Sequence, residues 1–259
     1  MHSLSAVIIT YNEEEKVENA LRSLKGVVDE IVIVDSGSAD KTEEICLRYT
    51  DRFMHHDWSG YRNQKQFATD QANFDWVLSL DSDEVLSANL RQELIDWKSK
   101  AEESMAGYRI RRKTRFLGKW IRHTTWYPDW QMRLFKRSSG SWQGGRVHES
   151  FQVSGIAGAL DSEIEHYSYS NLSEYLIQLE NFSSLAAADL KDRGVNPTWA
   201  RLTFQPAAVF FNNFILHRGF LDGIPGLAVS ALSAISVFFK YLKLRELRDA
   251  SISRPRDSA

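Results

Sequence analysis

The sequence predicts an α/β protein: a Rossmann-like layer built on a mixed but mostly parallel sheet, followed by a C-terminal helical, apolar extension. Over the first hundred residues, short β-branched runs alternate with stretches of helical periodicity. From Leu202 onward two long apolar runs appear and charge becomes sparse. The balance of 43% hydrophobic and 25% charged residues in 259 is that of a globular chain long enough to bury a full core.

The first element is the strand Ala6 to Thr10, a β-branched run suited to burial on both faces. Asn12 follows as an expected N-cap, with Glu15 at capping-box spacing. Val17, Ala20, Leu21 and Leu24 then mark one face of a helix. The unit repeats with the strand Ile31 to Val34 and a helix carrying Ile45 and Leu47, capped by Asp40 and Glu43. A short strand at Arg52 to His55 leads to a helix around Asn63 to Ala72. Trp76 to Leu80 is the fourth strand, and Leu90, Leu94 and Trp97 mark the helix after it. This is a nucleotide-binding type of half-domain.

Beyond Gly107 the pattern changes. Arg109 to Arg122 holds seven basic residues and no acidic one. Strands are expected at Gln131 to Lys136 and Val147 to Val153, and a helix from Asn171 to Arg193. The apolar runs Leu202 to Leu216 and Leu227 to Phe239 each fall short of the roughly 20 residues that cross a bilayer as a helix. Lys240, Lys243, Arg245 and Arg248 follow, a pattern that fits an interfacial anchor on an anionic leaflet, or a buried helical hairpin or dimer contact.

Composition excludes several classes. Cys46 is the only cysteine, so neither an internal disulfide nor a thiolate-rich zinc site can form. With 32 basic and 34 acidic residues the formal charge of -2 gives no nucleic-acid footprint. The N-terminus lacks a basic segment followed by a long apolar core, so no secretion signal is expected and a reducing, cytoplasmic setting is the default.

Asp81-Ser82-Asp83 is the sharpest chemical signal. It directly follows a buried strand, and open α/β sheets bind ligands at the carboxyl ends of their strands. Two carboxylates there can serve a divalent cation and a sugar hydroxyl together, because Mg²⁺ or Mn²⁺ takes one or two carboxylates plus phosphate oxygens. Asp35 also ends a strand and can accept hydrogen bonds from a base or ribose, or serve only the Ser36-Gly37-Ser38 turn. Thr10, Tyr11 and Asn12 share that edge, where Tyr11 can stack on a base. His55 and His56 are neighbours on a strand, point to opposite faces and read as structural.

In order and spacing, V-I-I-T-Y-N-E, I-V-I-V-D-S-G-S-A-D-K-T and W-V-L-S-L-D-S-D-E resemble glycosyltransferase family 2, inverting enzymes of the GT-A fold that use nucleotide-sugar donors. The match is strong over about residues 4 to 90. Y-P-D-W-Q-M-R-L-F-K-R, W-Q-G-G-R-V-H-E and G-F-L-D-G look like the lipopolysaccharide-core β-1,4-glucosyltransferase branch, whose donor is typically UDP-glucose and whose acceptor is an inner-core heptose. Ile9 stands where many members carry proline.

The resemblance implies a GT-A domain over residues 1–170, with a donor half to about 106 and an acceptor half from about 107, and a helical extension over 171–259. It implies nucleotide-sugar contacts from Thr10, Tyr11, Glu13, Asp35, Arg62, Lys65, Asp81 and Ser82. Asp83 is implied as the metal ligand and His166 as a late histidine completing the metal or diphosphate shell, against a simply packed His. His148 is a weaker case.

Inverting transfer needs a base for the acceptor hydroxyl. Glu149 is the first choice, with Gly144 and Gly145 allowing close backbone approach, and Asp129 the second; the plainer role for Glu149 is pairing with Arg146 or Arg133. The basic run can hold the donor diphosphate, grip a phosphorylated acceptor or lie solvated, and acceptor or membrane contact is favoured. The partners implied are a UDP-sugar, a lipid-linked saccharide and an anionic membrane surface, at the inner face of the cytoplasmic membrane. The alternatives are a polyprenyl-phosphate glycosyltransferase and an inactive membrane-surface scaffold of the same fold.

Overall fold

The computed structural model describes residues 1–100, 102–145, 149–169 and 171–252. It divides into two compact units, Met1–Arg115 with Pro128–Ser168, and Phe116–Tyr127 with Tyr169–Ala259.

The first unit begins with β1 (Leu4–Thr10), α1 (Val17–Leu24), β2 (Glu30–Asp35), α2 (Thr42–Cys46), β3 (Phe53–His55), α3 (Tyr61–Asp70) and β4 (Trp76–Ser79). These are the alternating elements that periodicity predicts. A three-residue strand, β5 (Glu84–Leu86), precedes α4 (Ala88–Lys100). The basic run is mostly one long strand, β6 (Met105–Phe116), and the two-residue β7 (Lys119–Trp120) after it falls in the second unit. Then come β8 (Asp129–Lys136), β9 (Gly140–Gln143), β10 (Ser150–Val153) and β11 (Ile156–His166). The main sheet runs β3-β2-β1-β4-β8-β6-β11-β5, parallel from β3 to β4 and mixed beyond, while β9 and β10 form a separate antiparallel pair.

Strand alternation divides the core between the two faces of the sheet. Leu4, Ala6 and Ile8 of β1 pack with α1 and α4 on one face, whereas Val7 packs with α3, Trp142 and Phe151 on the other. Phe135 and Phe151 stack there with centroids 3.6 Å apart.

The capping box expected at Asn12 does not form. Asn12 takes φ +54°, a left-handed conformation that asparagine tolerates, and α1 starts only at Val17 without a side-chain cap. Its Oδ1 accepts the Ala39 N–H at 2.8 Å, and Ser38 Oγ and Thr42 Oγ1 accept the N–H groups of Asn12 and Glu13. The loops after β1 and β2 are thereby locked together, which fixes the strand ends that carry Thr10 and Asp35. Leu47 lies outside α2 and is 53% exposed, while Cys46 takes the buried position, and burial pushes its thiol up to about 12.

The second unit is helical. α5 (Leu172–Asp192) is capped by Asn171, whose Oδ1 accepts the Glu174 N–H at 2.9 Å. α6 (Trp199–Phe211) runs into a π-helical turn at Asn212–Leu216, then a 3₁₀ turn at Gly219–Asp222, and α7 (Ile224–Ile252) closes the chain. Asp222 is buried, accepts the N–H groups of Arg122 and His123 at 3.0 and 2.9 Å, and meets the His123 ring at 2.9 Å.

The second apolar run belongs to a helix longer than the run itself. α7 extends through the basic tail, and among the described residues its Ile224–Asp249 segment is long and apolar enough, by length and composition, to span. Lys, Leu, Arg and Glu propagate a helix well, and Tyr241 and Leu244 keep one face packed against Ala187 and Leu202. Pro225 sits in the first turn, where a missing N–H costs no intrahelical bond.

Candidate active site

Sheet register assembles the site. β8 runs antiparallel to β4 with Leu134 opposite Leu78, so the carboxyl end of β4 meets the amino-terminal half of β8. β6 pairs with β8 and sets Arg112 opposite Asp129. β11 sets its last residue, His166, opposite Thr114 of β6 and Glu84 of β5. Residues distant in sequence thus converge just beyond Trp76–Ser79.

Arg133, 3% exposed, is the hub. One of its terminal nitrogens lies 2.6 Å from Asp81 Oδ2 and 2.6 Å from Glu84 Oε1. Glu84 is fully buried, and its other oxygen accepts the Asp81 N–H at 3.0 Å. Arg112 reaches Glu84 at 3.3 Å and Asp129 at 2.7 Å. On the far side of Asp81, Lys65 Nζ lies 2.9 Å from Asp81 Oδ1 and 2.9 Å from Glu149 Oε1, over the Trp142 ring.

Burial by itself would raise the Asp81 carboxyl, but Arg133 and Lys65 outweigh it and hold it well below the usual carboxylate range. Lys65 is raised: its burial works against the charge, and Asp81 and Glu149 more than compensate. Burial raises the Tyr61 hydroxyl, with Glu149 adding to the effect.

Asp83 points elsewhere. Its Oδ2 is 3.2 Å from His166 Nε2, and the other ring nitrogen of His166 is 3.0 Å from Thr114 Oγ1. Burial raises the Asp83 carboxyl and His166 more than offsets it, so the net shift is downward. Among the described residues no group of three or more His, Cys, Asp or Glu is arranged to hold a metal. An Asp–His pair nevertheless fits a Mg²⁺ or Mn²⁺ site whose remaining ligands are diphosphate oxygens and water, since these ions keep few protein ligands beside a phosphate.

The edge formed by β1 and β2 is tightly knit. Asp35 is fully buried and accepts hydrogen bonds from Thr10 Oγ1, Ser38 Oγ and the Gly37 and Ser38 N–H groups, between 2.5 and 2.9 Å. Gly37, at φ +88°, is the residue that lets this turn close. Tyr11 is 60% exposed at the same edge and free to stack, Glu13 is half-buried, and Ser82 is buried. Arg62 is exposed, with its Nε on Asn63 at 3.3 Å, outside the charged cluster. His55 lies 3.6 Å from both Asp35 and Glu43, and His56 stacks on Phe67 at 3.9 Å.

One expectation changes. Glu149 does not pair with Arg133, which is committed to Asp81 and Glu84; its partner is Lys65. Arg146 and His148, with the start of the strand expected from Val147, lie outside the described residues. Three positions of the basic run have partners within the sheet. Arg111 lies over Trp130 and donates to the Asp161 carbonyl, Arg112 pairs with Asp129, and Lys113 with Glu163 at 3.3 Å.

Sequence reasoning missed Arg133 and Arg112 as site residues, and Glu84 entered it only as the last residue of the W-V-L-S-L-D-S-D-E motif. A signal was present: Arg133 sits in the run Met132 to Phe135, and a charge inside a buried strand demands a buried partner. A cavity of about 580 Å³ lies at the opposite end of the sheet, lined by Glu30, Arg52, Asn73 and Phe74 among others. It is apart from the charged cluster, and Glu30 there is already bonded to Ser5, Asn73 and Arg52.

Comparison with known proteins identifies the family. Residues 5–160 match Glycosyl transferase family 2. The chain is 30% identical to the lipopolysaccharide core biosynthesis glycosyltransferase LpsC of Rhizobium meliloti, over 96% of this chain and 97% of that protein. It is also 30% identical to an uncharacterized glycosyltransferase of Rickettsia felis, over 95% of this chain and 90% of that one. Among solved structures, the mannosyltransferase PcManGT from Pyrobaculum calidifontis, in complex with GDP-Man and Mn²⁺, aligns with a TM-score of 0.52 at 14% identity. The alignment covers 97% of this chain and 88% of that one, a likeness of fold.

Proposed function

The chain belongs to glycosyl transferase family 2, as a glycosyltransferase using a nucleotide-sugar donor, and we propose that it moves glucose from UDP-glucose onto a lipid-linked saccharide such as an inner-core heptose of lipopolysaccharide. The observation that carries the reading is the division of labour in Asp81-Ser82-Asp83. Asp81 is bound to fixed cations, whereas Asp83 faces His166 beside it. The similarity to LpsC along nearly the whole chain supports the acceptor class.

In the proposed reaction Thr10, Tyr11, Glu13 and Asp35 form the nucleotide edge, with Arg62 on the exposed side of α3. Asp81 and Ser82 hold the donor's ribose or sugar hydroxyls. Asp83 and His166 would hold Mg²⁺ or Mn²⁺, which supplies charge neutralisation to the leaving diphosphate. The acceptor oxygen bonds to the anomeric carbon from the face opposite the diphosphate. The bond from that carbon to the diphosphate oxygen breaks, the electron pair leaves with the diphosphate, and the hydroxyl proton passes to Glu149. Asp129 is the weaker choice of base because Arg112 and Gln131 already occupy its two oxygens. A panel of nucleotide sugars, titrated calorimetrically with and without Mn²⁺, tests the donor. Selective Mn²⁺-dependent binding of UDP-glucose is expected; preference for another nucleotide sugar would replace the donor, and no binding of any would favour the inactive scaffold.

The acceptor reading extends to a membrane surface. On α6 the exposed Phe204 and Phe211 lie seven residues apart on one face, continued by Ile215. On α7 Leu227, Ile235, Phe238 and Leu242 are exposed in the same manner. From Trp199 to Arg245 the sole acidic residue is Asp222, which is buried, while Arg201, Arg218 and Lys240 supply positive charge, with Lys243 paired to Glu180 and Arg245 to Asp249. The opposite face of α7 is packed within its own unit, which favours lying on the bilayer over crossing it. Phe204→Ser with Phe211→Ser is expected to weaken co-sedimentation with phosphatidylglycerol vesicles by at least about tenfold, since each buried Phe contributes roughly 1.5–3 kcal/mol. Unchanged co-sedimentation would remove α6 from the membrane face.

A further inference from the structure

We propose that Lys65 is a positioning residue: its ammonium ties Glu149 to Asp81 and sets the base against the donor-sugar carboxylate. This rests on Glu149 being the base. Nζ of Lys65 lies 2.9 Å from an oxygen of each carboxylate, so those two oxygens stand no farther apart than twice that distance.

The lysine is itself held in place. It is 7% exposed, unusual for a side chain that normally keeps its charge in water. Its carbonyl accepts the Thr69 hydroxyl at 2.7 Å, and the same hydroxyl accepts the Trp142 indole N–H at 2.9 Å. Trp142 also lies under the ammonium, 5.2 Å from it, so α3 carries the residue and β9 flanks its charged end. Glu149, by contrast, precedes β10 in irregular backbone, where no strand pairing orients it. Lys65 supplies that orientation.

The family resemblance places Lys65 among the nucleotide contacts, and the two roles separate cleanly. A diphosphate ligand that swung away from Asp81 and Glu149 would leave two largely buried carboxylates short of a cation, a costly arrangement. An ammonium committed to both carboxylates contributes little to donor affinity and much to the geometry of attack.

The test uses the full-length protein, with the nucleotide sugar that binds in the panel above and water as acceptor, following UDP release. Lys65→Ala is expected to lower kcat by about 100-fold, the usual consequence of an ångström-scale misplacement. The Kd for UDP should change by less than about threefold on this geometric argument. Ethylamine should restore part of the lost turnover by placing an ammonium in the vacated space, a rescue that a folding defect would not show. Should Lys65→Ala fail to fold, Lys65→Met retains the stem and serves the same comparison. A loss of UDP affinity matching the loss in kcat would make Lys65 a donor ligand and overturn the proposal, as would an unchanged kcat. Glu149→Gln separates the two levels. If it keeps activity, the base assignment fails; if it is inactive while Lys65→Ala retains kcat, only the positioning role fails.

Discussion

Arg133→Met is expected to lower folding stability by about 3–5 kcal/mol, the range for removing one partner of a buried ion pair. Arg133 is 3% exposed and serves two carboxylates at 2.6 Å, one of them the fully buried Glu84. Methionine fills much of the same volume, so the loss arises from uncompensated charge rather than from a cavity. Arg112 and Lys65 would remain to face Asp81, Glu84, Asp129 and Glu149, two cations for four carboxylates. Adding Glu84→Gln to Arg133→Met removes one of those charges and should recover part of the loss. Arg62→Ala, at an exposed position of the same unit, should move stability by no more than about 0.5 kcal/mol. Urea midpoints read by tryptophan fluorescence check all three, and equal midpoints for Arg133→Met and Arg62→Ala would contradict the argument.

Acid gives the same network a second signature. The Asp81 carboxyl is held well below its ordinary range against the cost of burial, with Arg133 the largest stabilising influence and Lys65 next. A lowered carboxyl stabilises the fold fully above the unfolded value, about 3.9, and loses that contribution as pH falls toward the lowered one. The parent protein should therefore lose stability more steeply below about pH 4 than Arg133→Met, which has less of this contribution to lose.

The first hundred residues were legible because their strands are short, buried runs and their motifs lie at strand ends, where local sequence determines position. Asp81, Asp83 and the Asp35 turn were found that way. Arg133 and Arg112 were not, because their roles depend on β8 lying between β4 and β6, a pairing that joins residues 52 apart for Arg133 and Asp81 and that local periodicity does not reveal. β11 was missed for a related reason: its Gly158, Asp161 and Glu163 break the apolar alternation that marks a strand. The same strand places His166 beside Asp83, so what the motif could name only as a late histidine acquires its partner from register. Asn12 shows the converse error. Its spacing to Glu15 suits a cap, but bonds between the two loops hold it in a left-handed turn instead.

Asp83→Asn should reduce turnover by on the order of 1,000-fold, several kcal/mol of lost charge stabilisation at the leaving diphosphate. The substitution preserves size and hydrogen-bonding capacity, and the neighbouring Arg133–Glu84–Asp81 network does not involve the Asp83 side chain. Stability should therefore stay near that of the parent, which separates this variant from Arg133→Met. The informative readout is binding: UDP affinity in Mn²⁺ should fall toward the value measured with EDTA, because an amide gives a divalent ion a weaker oxygen and no charge. His166→Gln tests the other half of the pair, since it removes a nitrogen ligand while leaving the carboxylate in place. If Asp83→Asn kept its Mn²⁺-dependent UDP affinity, the metal would have to be held elsewhere, and Asp81 would be the nearest carboxylate in the motif. Its oxygens already face Lys65 and Arg133 at 2.9 and 2.6 Å, so taking a cation there would require the ion network to open.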